Sequence, residues 1–267
     1  MNKNMLIAVV TLVILSGGIA AYFYWQDNQA EPGLPAKAPP SLMPVEARPE
    51  VRNIIEASPV KTPLPLLAES DRFMLDALSG LLGNKSLMKL FHTERIIRNI
   101  VATIDNLPRM KLPLRLLPLE QASGKFVTEG SEDALTVSAK NAERYSPYVK
   151  IAEAIDARKL VELYVRLYPL FQQAYKELGY PNKYFNDRLV EALDDLLDAP
   201  DIKEPVRLVQ PGVLYQFADP DLEGLSIGQR ILLRAGSKNE AKMKVMLREI
   251  KQELGLHMHE KKIGSAG

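Results

Sequence analysis

Residues 156–179 read DARKLVELYVRLYPLFQQAYKELG, and this stretch decides the fold class. Leu160, Leu163, Leu167, Leu170 and Ala174 recur at helical spacing, and Tyr164, Tyr168, Phe171 and Tyr175 form a second stripe. A helix apolar around most of its circumference belongs at the centre of a helical fold. Asp156 is placed to cap its start, and Gly179 with Pro181 to close it. Pro169 sits in the middle, where it predicts a kink and leaves the Val165 carbonyl without its usual N–H partner.

Outward from this segment the same period recurs. Ser70 is the expected cap of DRFMLDALSGLL (71–82), whose Phe73, Leu75, Leu78, Leu81 and Leu82 suit one buried face and which ends at Gly83. Thr93 is the expected cap of ERIIRNIVATID (94–105), with Ile96, Ile97, Ile100, Val101 and Ile104 inward. A further helix covers FNDRLVEALDDLLDA (185–199). Two more follow, with capping boxes read at Ser226 with Gln229 and at Ser237 with Glu240. Pro108, Pro113 and Pro118 keep the stretch between non-helical. Gly124–Thr128 and Ala134–Ser138 read as strands around a Glu-Gly-Ser-Glu-Asp turn, and Val206–Val209 and Val213–Phe217 as strands joined at Pro211-Gly212. The expected class is mainly α, with minor β hairpins and no internal repeat.

The N-terminus is of another kind. Met5 to Trp25, MLIAVVTLVILSGGIAAYFYW, carries no charge. As a helix it is about 32 Å long, enough for a hydrocarbon core of roughly 30 Å. Gly18-x-Ala20 is a weak cleavage signal, whereas the run continues into Tyr22, Phe23, Tyr24 and Trp25, an interfacial aromatic belt. An uncleaved transmembrane anchor in a lipid bilayer is therefore expected over 1–25. Lys3 and the α-amino group favour the N-terminus on the cytoplasmic side, which in a bacterium places the domain in the periplasm. Ser16 with Ala20 and Gly17 with Ala21 give small-xxx-small spacing, compatible with a homodimer through the membrane helix. The absence of cysteine excludes an acylated N-terminal cysteine.

Residues 26–68 hold nine prolines, from Pro32 to Pro65, and predict a solvated linker that reaches on the order of 130 Å when extended. Within it, Val51 to Ile55 are expected to form a short helical turn. The helical domain then covers 69–256, and 257–267 reads as a flexible tail. With 34 Lys+Arg against 33 Asp+Glu, the chain gives no electrostatic reason to bind nucleic acid.

Several runs resemble one family together. Val101-Ala-Thr-Ile-Asp-Asn-Leu-Pro-Arg109, Arg144-Tyr-Ser-Pro147, Leu163 to Leu170, Leu178-Gly-Tyr-Pro181 and Tyr215-Gln-Phe-Ala-Asp-Pro-Asp-Leu-Glu223 are similar to the bacterial domain of unknown function 3014, over roughly residues 60–254. The resemblance implies a membrane segment and a Pro-rich linker before the domain. It transfers no activity and no cofactor.

The chemistry-bearing residues are few. His257-Met-His259 lacks a third metal ligand, so no metal site is expected. Asp194, Asp195, Asp198 and Asp201 read as a solvated acidic face, and no calcium-loop spacing is present. Asp105, Asn106 and Arg109 form either a structural turn or a polar loop lining a groove. Arg144, Tyr145, Arg166 and Tyr168 are the aromatic and cationic types that dominate binding hot spots, although stripes of this spacing usually form core. These seven residues are the candidate binding set, and no catalytic residue is assigned. Two function classes follow. The first is an envelope protein whose domain binds a protein partner or cell-wall material. The second is a hydrolase of an envelope polymer using paired carboxylates, Asp105 with Asp187 or Glu223.

Overall fold

The computed structural model describes residues 52–55, 63–203 and 205–261. The expected anchor, Met5 to Trp25, lies outside the described residues. Among the described residues, no helix is long and apolar enough to cross a membrane.

The chain runs through β1 (Arg52–Ile55), α1 (Ser70–Leu82), α2 (Lys85–Met88), α3 (Ile96–Asn106), β2 (Thr128–Glu129), β3 (Thr136–Val137), α4 (Asn141–Ala154), α5 (Ala157–Glu177) and α6 (Phe185–Leu197). It continues through β4 (Leu208–Val209), β5 (Gln216–Phe217), α7 (Pro220–Glu223), α8 (Ile227–Ala235), α9 (Ser237–His257) and β6 (Met258–Lys261). The class is mainly α, with small antiparallel pairs: β2 with β3, β4 with β5, and β1 with β6.

The expected central helix is central. Both stripes of α5 are buried, from Leu160 and Tyr164 through Phe171 to Tyr175, because α3, α6 and α9 pack around it. Asp156 caps it by accepting from the Lys159 amide at 3.2 Å. Pro169 is exposed and lies within one continuous helix. Tyr164, Phe171 and Phe185 stack or meet edge to face at centroid separations of 5.4 to 6.3 Å, so the aromatic stripe is core. A smaller apolar cluster of Leu208, Phe217 and Leu233 sits under the two hairpins, which meet where Thr136 bridges Arg207.

Several local expectations are corrected. Ser70 is the first residue of α1 and donates from Oγ to the Leu67 carbonyl instead of accepting from the helix. Thr93 caps nothing, because α3 begins at Ile96. Its first amides, Arg95 and Ile96, donate to the Asp71 carboxylate of α1 at 2.7 and 2.9 Å. Arg95 takes φ 54, the left-handed conformation that bends the chain into this arrangement. Ser226 and Gln229 do form a capping box, but Ser237 and Glu240 do not. Glu240 is buried and pairs with buried Lys244 at 3.0 Å. Burial raises the Glu240 pKa, against the opposing effect of the lysine. Arg52–Ile55, expected as a helical turn, pair as a strand with Met258–Lys261, which lie in the expected tail. Helix α4 was not foreseen at all; it runs through Pro147, whose ring is exposed.

Candidate functional site

Asp105 lies near the C-terminal end of α3, where Leu107-Pro108 ends the helix. The turn is fixed from outside. The Leu107 and Arg109 carbonyls accept from the Gly228 and Ile227 amides at 3.0 and 2.7 Å, so the first turn of α8 docks against it. A Cβ at Gly228 would lie 2.7 Å from Leu196 Cδ2 and 3.2 Å from the Leu107 carbonyl oxygen, so a larger residue would force the Leu196 side chain and the docked turn to shift.

The docked turn aims Asp105 and Arg109 at α6. The Asp105 carboxylate is nearly buried and accepts from three donors: Arg188 Nε at 3.1 Å, Arg109 Nη2 at 3.0 Å and the Tyr180 hydroxyl at 3.2 Å. Arg109 Nη2 also donates to Tyr180 Oη at 2.7 Å, and its Nε donates to the Asp105 carbonyl at 3.0 Å. Arg188 donates to that same carbonyl and, from Nη1, to Glu191 at 2.6 Å. A buried carboxylate between two guanidiniums is the compensated form of an otherwise costly buried charge. Burial works against the Arg109 charge, but Asp105 and then Tyr180 outweigh it and raise its pKa. Tyr180 stacks on Tyr175 with centroids 4.6 Å apart and planes 24° apart. Burial, followed by the Asp105 charge, raises the Tyr175 phenol to about 12.

Above this network the chain opens into a cleft of about 360 Å³, lined by Asp105, Arg109, Tyr175 and Tyr180 on one side and by Asp187, Arg188 and Glu191 of α6 on the other. Asn182, Lys183 and Tyr184 form its rim. Arg109 keeps 47% of its side chain exposed, whereas Arg188 keeps 12%. The floor is therefore locked and the Arg109 face is open.

The remaining expected residues lie elsewhere. Asn106 turns back and donates to the Ala102 carbonyl at 2.7 Å. Arg144 donates to the Ser123 and Gly124 carbonyls, each at 3.0 Å, and so staples that loop to α4. Tyr145 is buried beneath it. Arg166 lies 5.3 Å from the centroid of the Phe73 ring. Tyr168 donates to Gln172 Oε1, which also accepts from the Phe185 amide, while Gln172 Nε2 donates to the Lys183 carbonyl. Tyr168 thus positions the rim without lining the cleft. Of the seven expected residues, Asp105 and Arg109 meet in the cleft and the others do not join them.

Of the expected carboxylate pair, Asp187 lines the cleft with Asp105, but Glu223 is held by Arg230 at 2.7 Å and by the Phe217 amide at 2.9 Å. Three of the four clustered aspartates have partners: Asp194 with Lys251, Asp195 with the Ser226 hydroxyl and Asp201 with Lys244. Among the described residues, no group of three His, Cys, Asp or Glu is placed to hold a metal.

The family model for the protein of unknown function DUF3014 matches residues 96–251, from the start of α3 to near the end of α9. The chain belongs to the DUF3014 family. No curated protein and no solved structure matches it. Every residue of the cleft falls inside the DUF3014 match, whereas α1, which caps α3 through Asp71, precedes it. Sequence reasoning missed six members of the DUF3014 cleft: Tyr180, Asn182, Lys183, Tyr184, Arg188 and Glu191. Tyr180 was visible only within the Leu178-Gly-Tyr-Pro181 run, and Arg188 read as an ordinary polar position of an amphipathic helix.

Proposed function

We propose that this protein is a single-pass, membrane-anchored envelope protein whose periplasmic helical domain binds a protein partner or cell-wall material at the Asp105 cleft. The single observation that carries the binding reading is the contrast between the locked floor and the open rim: Asp105 and Arg188 are nearly buried and mutually satisfied, yet Arg109, anchored to the same carboxylate, is half exposed to the cleft. A network that served packing alone would gain nothing from holding a guanidinium at the mouth of a polar cleft. The uncharged Met5–Trp25 run and the proline-rich residues 26–68 support the tether.

The hydrolase reading is the weaker one. A glycosidase-type pair needs one carboxyl group able to give a proton and another free to accept one or to attack. The Asp105 oxygens are already engaged by Arg109, Arg188 and Tyr180.

The reading is tested in intact cells with a photocrosslinking residue at Asn182 on the rim and a control at Gln252 of α9. The expected result is a discrete adduct from Asn182 in the membrane fraction and none from Gln252. Equal labelling at the two positions, or recovery of the protein outside the membrane fraction, would overturn it.

A further inference from the structure

We infer that the cleft recognises a single carboxylate carried by a peptide, at a chain end or on a side chain, seated on the outward edge of Arg109 with Lys183 beside it. This deepens the binding reading above and rests on it. The Arg109 Nε and Nη2 atoms are spent on Asp105 and Tyr180. Nη1 has no partner among the described residues, and the side chain is half exposed where it lines the cleft. The guanidinium is therefore held on one edge and open on the other, which removes much of the rotamer entropy that an exposed arginine loses on binding. The open Nη1 of a guanidinium fixed in this way donates a charge-assisted hydrogen bond to a carboxylate oxygen.

Lys183 supplies the second cation. Its Nζ lies 5.7 Å from the centroid of the Tyr180 ring, the ring whose hydroxyl contacts both Asp105 and Arg109. The two open cations thus flank one phenol.

The charge on the other wall selects among anions. Asp187 and Glu191 lie one turn apart on α6 and line the same cleft. With Asp105 they match Arg109, Lys183 and Arg188 in number, so the lining as a whole is balanced. A dianionic phosphate would meet two facing acids. A monoanion on the Arg109 side meets two cations, and the exposed Glu191 carboxylate opposite, held by Arg188, can also accept from an amide N–H of a peptide. A neutral sugar as sole ligand would leave the open guanidinium edge without an anionic partner.

The test is calorimetric titration of the full chain with three probes: N-acetylalanine, its uncharged amide, and inorganic phosphate. The expected result is saturable binding of N-acetylalanine at one site, at least about tenfold weaker binding of the amide and of phosphate, and a loss of about tenfold or more with Arg109→Gln. Because Arg109 also helps to hold Asp105, Lys183→Gln provides a second variant at an exposed position; it should weaken N-acetylalanine binding several-fold and leave the melting temperature unchanged. Equal binding of acid and amide would overturn the carboxylate assignment, as would tighter binding of phosphate or no effect of either variant. No heat with any probe would also overturn it. In that case a rim-specific Asn182 crosslink would leave the binding reading standing, and its absence would remove both.

Discussion

Arg188 of α6 donates from Nε to Asp105 of α3 at 3.1 Å, and the pair, 83 residues apart in the chain, closes the floor of the cleft between the two helices. The contact sets both the stability of the α3–α6 junction and the shape of the site above it.

Asp105→Ala should therefore cost about 1–3 kcal/mol, because the Arg188 Nε and the Tyr180 hydroxyl lose their shared buried acceptor while Arg188 keeps Glu191 at 2.6 Å. Urea unfolding of the variant measures this. A loss under about 1 kcal/mol would mean that Arg188 re-solvates freely.

Asp71 caps α3 from another helix, accepting from the Arg95 and Ile96 amides. Asp71→Ala should cost about 1–2 kcal/mol, as for other lost caps, and should raise amide exchange in the first turn of α3 more than in α1. Uniform exchange across both helices would argue against the cap.

This contact also marks the limit of what the sequence could reveal. The apolar stripes of α5 predicted its central place because a period of 3.6 is local information. Asp156 and Ser226 were correct caps for the same reason, since the amides that donate to them lie three residues on. Asp71 caps a helix that begins 25 residues later, so the nearest hydroxyl, Thr93, looked sufficient. Helix α4 was hidden by Pro147 and by a polar first turn, although Tyr145, Tyr148, Val149 and Ala152 keep helical spacing. In the cleft, Asp105 and Arg109 stood out as a helix-ending run with charge. Arg188 and Tyr180 acquire their roles only once α6 and the loop before it are folded against α3.

Pro169→Ala should raise the melting temperature. Pro169 is exposed and lies inside a continuous helix, so the alanine removes no packed ring and restores one backbone donor; a mid-helix proline costs up to about 3 kcal/mol relative to alanine. A lower melting temperature would show that the ring or a local bend is needed by the buried aromatic stripe.

Stability should fall steeply in alkali. Burial raises the Tyr148 and Tyr175 phenols to about 12, against about 10 for an unfolded tyrosine. Between those values the unfolded chain has released protons that the folded chain still holds, so stability is intact below about pH 10 and declines toward pH 12. Chemical unfolding at stepped pH, together with ultraviolet titration of tyrosine, checks both the window and its cause. A flat stability profile from pH 9 to 12 would contradict the burial of these phenols.

The most direct measurement is a paired one on Lys183→Glu, made with the photocrosslinking residue at Asn182 in intact cells. Lys183 is exposed on the cleft rim and touches the Asp105 network only over the face of the Tyr180 ring, with no hydrogen bond from its side chain to that network. If the cleft is the binding site, the melting temperature should stay within about a degree of the parent while the Asn182 adduct disappears. An adduct of unchanged yield in a protein of unchanged stability would contradict binding at the cleft and leave the Asp105 network a structural joint between helices.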